Sequence, residues 1–413
     1  MEEVNKKEII LVQITGDDRP GVTSALTNIL AKYNAIVLDI GQADIHHSLS
    51  LGILFVTDSI NSGCIIKELL FKATEIGVNI RFSPVSEEEY NSWVGRQGKS
   101  RYIITILGRR VTAQQIGEVT KIVAENELNI DAIRRLTGRM PLEEVETEVG
   151  VSCIELSVRG TPKDKNKMQA SFIELSSKLS IDISFQEDNI FRRTRRLICF
   201  DMDSTLIETE VIDELADRAG VGKEVREITE SAMRGEIDFH ESFTRRVALL
   251  KGLDVSVMKD IAESLPMTEG IERLMKTLKT VGFKIAILSG GFTYFGEYLK
   301  RKFGIDYVYA NELEVVDGKL TGRYVGDIVD GKRKAELLRL LAQIENVNIA
   351  QTIAVGDGAN DIPMLNTAGL GIAFHAKPKV KANTKQSIST IGLDGILYFL
   401  GFKDSYYNSP LND

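Results

Sequence analysis

The chain has 413 residues, of which 43% are hydrophobic and 27% charged, and its net charge is −8. That length predicts several domains, and the composition is that of an ordinary globular protein. The acidic balance, with a pI near 5.4, disfavours a general nucleic-acid binder, which needs a positive face; no apolar run approaches the ~18 residues that span a bilayer.

The charged start, Met1-Glu2-Glu3-Val4-Asn5-Lys6-Lys7-Glu8, lacks the apolar core of a secretion signal. Residues 8–15 read as a strand. Asp18-Arg19-Pro20-Gly21 is turn chemistry leading into a helix, with Leu26, Ile29 and Leu30 at helical spacing. Strand candidates at 35–45 and 49–56, a helix at 65–76 and a strand at 78–82 complete a βαββαβ, ferredoxin-like unit over residues 1–90. The pattern recurs over 98–188. A strand at 102–107 is broken by Gly108 as the first is by Gly16, and Ile122-Val123-Ala124 takes the place of Ile29-Leu30-Ala31. A strand at 148–159, a helix at 167–179 and a strand at 181–185 follow. Residues 86–100 read as a linker and 139–148 as a hairpin loop. Cys64, Cys153 and Cys199 sit in apolar runs and read as reduced core residues, which predicts a cytoplasmic protein. His46-His47, with no cysteine nearby, reads as a strand-end pair in preference to a zinc site.

Arg192-Arg193-Thr194-Arg195-Arg196 reads as a solvated linker before a strand, in preference to a nucleic-acid patch. Over 195–413 the pattern changes. Apolar strands at 197–200, 284–288, 307–310, 352–355 and 371–374 alternate with helices, the signature of an α/β doubly wound parallel sheet. Val316-Asp317-Gly318-Lys319 signals a tight hairpin. Residues 210–266 lack strand patterning and fall between the first two strands, the place for an inserted helical cap.

Four clusters follow apolar segments of this sheet: Asp201-Met202-Asp203-Ser204-Thr205, Ser289-Gly290-Gly291, Lys334 at a helix start, and Gly356-Asp357-Gly358-Ala359-Asn360-Asp361. An open α/β sheet places its chemistry just beyond the carboxyl ends of its strands. Each cluster alone has a plainer reading: aspartates as turn formers or helix caps, Ser-Gly-Gly as a loop, Lys334 as a solvated lysine like its neighbours Lys332 and Arg333. Together they converge on one sheet edge. Repulsion among Asp201, Asp203, Asp357 and Asp361 then calls for a cation, and hard oxygen ligands suit Mg2+.

This ordered set resembles the haloacid dehalogenase superfamily of phosphatases over about residues 196–400. Within it, Glu210-Val211-Ile212-Asp213-Glu214, Ala232-Met233-Arg234-Gly235 and Arg246-Val247-Ala248-Leu249-Leu250-Lys251-Gly252-Leu253 are similar to the pattern of the phosphoserine phosphatases. The resemblance implies Mg2+-dependent hydrolysis of L-phosphoserine, the last step of serine biosynthesis. Asp201 would be the nucleophile and Asp203 the proton carrier. Asp201, the Asp203 carbonyl and Asp357 would hold the metal, and Asp361 would orient that shell. Ser289, the Gly290 N–H and Lys334 would bind phosphate. Glu210 would take the substrate ammonium and Arg246 its carboxylate, Met233 and Phe239 would line the wall, and Asn360 would add an amide contact. Two alternatives stay open: phosphoryl transfer from phosphoserine to another alcohol such as homoserine, and an amino-acid-sensing protein with a vestigial phosphatase half. The amino-terminal repeats resemble ACT domains, on their topology and Gly16-Asp17-Asp18-Arg19-Pro20-Gly21. That resemblance implies either a regulatory amino acid or a structural role holding a homodimer. The second copy has Gly108-Arg109-Arg110-Val111 and lacks the Pro-Gly turn.

Overall fold

The computed structural model describes residues 6–95, 100–144 and 150–406. The chain divides into two units, residues 1–99 and 100–413.

The first unit is an antiparallel sheet of β1 (Lys7–Asp17), β2 (Ile36–Ile45), β3 (Ser48–Asp58) and β4 (Asn79–Val85), in the order β2-β3-β1-β4. Alternate residues of β1 (Ile10, Val12, Ile14) and β3 (Leu49, Leu51, Ile53, Phe55) pack with Leu26 and Leu30 of the helix Val22–Lys32 and with Ile65 and Leu69 of the helix Ser59–Ile76. One buried and one open face give this period of two. Gly21 precedes the first helix at φ 96°, a left-handed position that accounts for the Pro-Gly turn. His46 and His47 form the turn between β2 and β3. Two expectations fail here. Cys64 is exposed on the second helix, unlike the buried Cys153 and Cys199. Residues 87–94, expected within a linker, form the helix Glu87–Val94, because Ser86 and Glu89 make a capping box and three glutamates occupy the first turn.

The second unit begins with a sheet of the same topology: β5 (Arg101–Gly108), β6 (Asn129–Arg135), β7 (Ser152–Arg159) and β8 (Asp182–Glu187), ordered β6-β7-β5-β8. The helices Ala113–Glu125 and Lys165–Leu179 cover one face through Val119, Val123, Met168 and Phe172. The other face is also buried: Leu107, Leu136 and Cys153 join the core of the third sheet beside Ile396 and Leu397. Burial on both faces explains why residues 102–107 are apolar except for Thr105, which is itself buried. Of the expected hairpin loop, residues 142–144 form a single 3-10 turn and 145–149 lie outside the described residues.

The third sheet contains β9 (Leu197–Phe200), β10 (Lys284–Phe292), β11 (Tyr307–Val316), β12 (Lys319–Val325), β13 (Thr352–Gly356), β14 (Leu370–Phe374) and β15 (Gln386–Ile388), in the order β12-β11-β10-β9-β13-β14-β15. All its pairings are parallel except β11–β12. Asp317 and Gly318 both have positive φ and close that antiparallel hairpin. The strand β12 is the second arm of the expected hairpin; β15 had not been anticipated, having only three residues, too few for a pattern. The cap consists of the helices Val211–Ala219, Gly222–Met233, Phe239–Leu249 and Ser256–Ser264.

The basic segment before β9 is solvated only in part: Arg193 and Arg196 are exposed as expected, and its other two arginines are not. Arg192 and Arg195 are each 7% exposed; Arg192 pairs with Glu155 and Arg195 donates to the Gln186 side chain. They seal the junction between the second and third sheets. At the same junction buried Asp182 accepts hydrogen bonds from the backbone N–H groups of Ser389 and Thr390 and from the Thr390 hydroxyl. The Gln386 amide bonds both N–H and C=O of Phe185, as a neighbouring strand would.

Candidate active site

The site forms beyond β9, β10 and β13, where the strand order reverses around the first strand of the sheet. All four side chains of β9 are fully buried, so the chain reaches the sheet edge without a polar residue until Asp201. The Asp201 N–H still donates to Val355 O at 2.9 Å. The backbone then turns sharply: the Thr205, Leu206 and Ile207 N–H groups all donate to Met202 O, and Ser204 adopts φ 54°. A non-glycine residue in that region stores backbone strain of a kind that gathers at functional sites. The turn brings Asp201 and Asp203 into one pocket, 5% and 9% exposed.

Two donors orient the Asp201 carboxylate. Met202 N–H reaches Oδ1 at 2.7 Å and Lys334 Nζ reaches Oδ2 at 2.7 Å. Lys334 is fully buried and also meets Asp361 Oδ1 at 2.7 Å. The helix Gly331–Ile344 begins earlier than expected and is capped by Asp330, which accepts from Arg333 N–H. Its twist turns Lys334 inward and leaves Lys332 outside, 86% exposed. The two carboxylates hold the Lys334 ammonium above its ordinary range despite burial. Asp361 has both oxygens engaged, the second by Gly358 N–H at 2.9 Å. Asp357 accepts from the Thr205 hydroxyl at 3.2 Å.

The crowding of acids shows in their titration. Burial first, then the charge of Asp201, pushes Asp357 up to about 7 and Asp361 up to about 8. Burial, with Glu210 and Asp201 nearby, raises Asp203 well above the ordinary carboxyl range. Asp201, Asp357 and Asp361 each present an oxygen within 4.8 Å of the others. An all-carboxylate donor set with this much mutual repulsion suits a hard divalent cation.

Ser289 is fully buried and its hydroxyl accepts from Gly291 N–H at 2.9 Å. A Cβ at Gly291 would lie 2.5 Å from Asp203 Oδ2, and one at Gly290 would lie 3.3 Å from Phe239 Cζ on the cap. Glycine is thus required at 291, where Asp203 closes on this loop, while the tip of Phe239 at 290 has room to give. Asn311, which sequence reasoning missed, fixes the loop. It is 2% exposed, donates to Gly290 O and accepts from Val329 N–H, each at 2.8 Å. A buried asparagine interrupting an apolar strand was the available signal.

Glu210 precedes the first cap helix and accepts from the Ser204 hydroxyl at 3.1 Å. It keeps contact with solvent at the mouth, yet its surroundings and the charge of Asp201 raise its pKa. Arg246, half-buried on the third cap helix, is drawn down by burial while Glu210 and Asp213 oppose that shift. Among the described residues Glu210 and Arg246 interact through charge without forming an ion pair. Phe239 stacks on Phe243 with ring centroids 6.3 Å apart. Asn360 sits in the 3-10 turn Ala359–Asp361, its backbone against Gly331. Met233 ends the second cap helix; its side chain lies outside the described residues.

A family model described as haloacid dehalogenase-like hydrolase matches residues 195–369, and ACT domain models match residues 8–83 and 100–186. The chain is 40% identical over 397 residues to phosphoserine phosphatase SerB2 of Mycobacterium tuberculosis, covering 96% of this chain and 93% of that one. It is 38% identical to a phosphoserine phosphatase of Streptomyces coelicolor, covering 95% and 92%. Among solved structures it is similar to a HAD family hydrolase of Salmonella enterica, with TM-score 0.60 and 32% identity over 72% of this chain and 98% of that one. It is also similar to the unliganded form of a probable phosphoserine phosphatase of Vibrio cholerae, with TM-score 0.56 and 34% identity over 74% and 87%. With sequence identity of this level running through nearly the whole of both chains, the chain belongs to the phosphoserine phosphatase family of haloacid dehalogenase-like hydrolases, its catalytic sheet preceded by two ACT domains.

Proposed function

We propose that this chain hydrolyses L-phosphoserine to L-serine and phosphate with Mg2+, as the last step of serine biosynthesis. The observation that carries the reading is Lys334, fully buried and held between Asp201 and Asp361 at the sheet edge. It orients a carboxylate for attack and offers positive charge to a phosphate.

An Asp201 oxygen attacks phosphorus and the bond from phosphorus to the serine oxygen breaks, while Asp203 delivers a proton to that oxygen. Water then attacks the aspartyl-phosphate, its proton passes to Asp203, and phosphate leaves with Asp201 restored. The raised pKa of Asp203 suits a group that must hold a proton near neutral pH. Ser289, the Gly290 N–H and Lys334 hold the phosphate oxygens. Asp201, Asp357 and the Asp203 carbonyl would hold Mg2+, which when bound neutralises the charge of the approaching anions. Asp361, with both oxygens committed, orients that shell.

Glu210 pairs with the substrate ammonium and Arg246 grips its carboxylate, with Phe239 and Asn360 completing the enclosure. The names of the relatives support this substrate. The reading extends to a cytoplasmic homodimer regulated by an amino acid at the ACT domains. Three free cysteines, the exposed edge strand β2 and a concavity at Asp18, Pro20, Ser24 and Gln42 support its respective parts.

The test is phosphate release from a panel of phosphomonoesters with and without Mg2+. Phosphoserine should be the preferred substrate, Asp201→Asn should abolish turnover, and Glu210→Gln should weaken phosphoserine far more than an aryl phosphate. Turnover retained in Asp201→Asn refutes the nucleophile; equal losses on both substrates refute the role of Glu210.

A further inference from the structure

We propose that Arg109, in the second ACT domain, is a positioning residue for the neck of the cap. The cap joins the catalytic sheet through two short segments that pair with each other. Ile207 and Met267 form an antiparallel bridge, Glu208 N–H donates to Pro266 O at 2.9 Å, and Thr268 N–H donates to Leu206 O at 3.1 Å. One end of this neck leads directly to Glu210. The other leads to Glu269, and there the second ACT domain takes hold. Arg109 grips the Glu269 carboxylate with both guanidinium nitrogens, Nη1 to Oε1 at 2.9 Å and Nη2 to Oε2 at 2.5 Å. A two-pronged Arg–carboxylate pair fixes direction as well as distance. It also holds the Glu269 carboxyl below its ordinary range.

The backbone of Glu269 is pinned from another side. Its carbonyl accepts from Leu393 N–H at 2.8 Å. A Cβ at Gly392 would come within 2.4 Å of that carbonyl. The next residue, Gly270, stands at φ 79° before the helix Ile271–Thr280, and a Cβ there would meet Asp394 Oδ1 at 2.3 Å. Residue 269 is therefore the fixed foot of the neck, with Arg109 as its side-chain anchor.

The loop that supplies Arg109 differs from its counterpart in the first copy. There the turn after β1, with Asp18 and Pro20, lines an open concavity of about 440 Å3. In the second copy the turn after β5 lies against the catalytic part of the chain, with Arg109 on Glu269 and Gly108 close to the Thr390 hydroxyl. The second copy thus spends on the cap neck the loop that the first leaves open.

The kinetic arm of the test rests on the phosphoserine reading above; the exchange arm does not. In the full-length chain Arg109→Gln should speed amide hydrogen exchange at Glu208 and Thr268 up to about fivefold, the limit for a partly exposed ion pair, with exchange in β9 and β13 unchanged. It should raise KM for phosphoserine about fivefold, through looser placement of Glu210, with the KM for p-nitrophenyl phosphate unchanged. Glu269→Gln should reproduce both effects, and Arg109→Lys should restore part of each, because a lysine keeps the charge and loses the fork. Unchanged exchange at Glu208 and Thr268 in both Arg109→Gln and Glu269→Gln overturns the proposal, as does a lowered melting temperature with exchange and KM intact. If phosphoserine is not turned over at all, the substrate reading fails and the exchange result alone decides the role of Arg109.

Discussion

Adding one methyl group at Gly291 tests the proton-carrying role of Asp203. The new Cβ would lie 2.5 Å from Asp203 Oδ2, 2.8 Å from Met202 Cε and 3.2 Å from Ser289 Oγ. The carboxylate must retreat by about 1 Å to restore van der Waals contact, and misplacement on that scale costs on the order of 100-fold in rate. Its other oxygen accepts from Val211 N–H at 3.3 Å, at the start of the first cap helix, so the retreat also disturbs the cap. Overpacking of this kind costs about 1–3 kcal/mol of stability, leaving the fold intact. The assay is kcat/KM on phosphoserine and on p-nitrophenyl phosphate, which reports the step that expels the leaving group and excludes the later hydrolysis, where Asp203 serves both substrates alike. The serine alkoxide needs a proton to leave and the nitrophenolate does not. Gly291→Ala should therefore lower kcat/KM about 100-fold on phosphoserine and less than about tenfold on the aryl ester. Loss of the same size on both substrates would move the effect to the phosphate loop, and a change below about threefold on phosphoserine would refute the reasoning. Gly290→Ala is the control. Its Cβ presses on the tip of Phe239 at 3.3 Å, which can move, and meets Val329 O at an ordinary 3.6 Å, so KM should rise with kcat nearly unchanged.

Lys334→Met should lower unfolding free energy by about 3–5 kcal/mol in urea titrations at about pH 9, above the titration of Asp361 near 8, since it strips the buried cation from two buried carboxyl groups; a cost under about 1 kcal/mol would mean that these buried ion pairs do not contribute to stability. In metal-free protein Asp357 and Asp361 titrate near 7 and 8 in place of 3.8. The folded chain then holds protons that the unfolded chain has lost, so stability should fall as pH rises from about 4 through 8. Mg2+ displaces those protons, so its upward shift of the melting temperature should be larger at pH 8 than at pH 5; the reverse order would contradict the acidic-pocket account. Asp182→Ala removes the acceptor of three donors at the junction of the second and third sheets, and should cost about 2–4 kcal/mol in urea, against a near-neutral effect if water replaces the carboxylate.

Much of this architecture was legible from short stretches of chain. The doubly wound sheet follows from apolar runs separated by helices, and the candidate acids follow from their position directly after those runs. The ferredoxin-like repeats were readable because each alternates strand and helix patterns at similar spacing. The readings that failed share a cause. Arg192 and Arg195 look solvated in a run of basic residues, yet their partners Glu155 and Gln186 come from the second ACT domain. Cys64 looks buried among apolar neighbours, but it falls on the open side of its helix. Asn311 carries no motif and matters only through the loop it reaches, twenty-one residues back at Gly290.

The sequence by itself determined that the candidate acids directly follow the strands of the sheet, because motif spacing and apolar periodicity are properties of a few consecutive residues. Only the tertiary structure decided which carboxyls Lys334 meets and that Arg109 of the second ACT domain pairs with Glu269 at the foot of the cap. Those outcomes depend on contacts between residues far apart in the chain, and their geometry is set when the sheets close on one another.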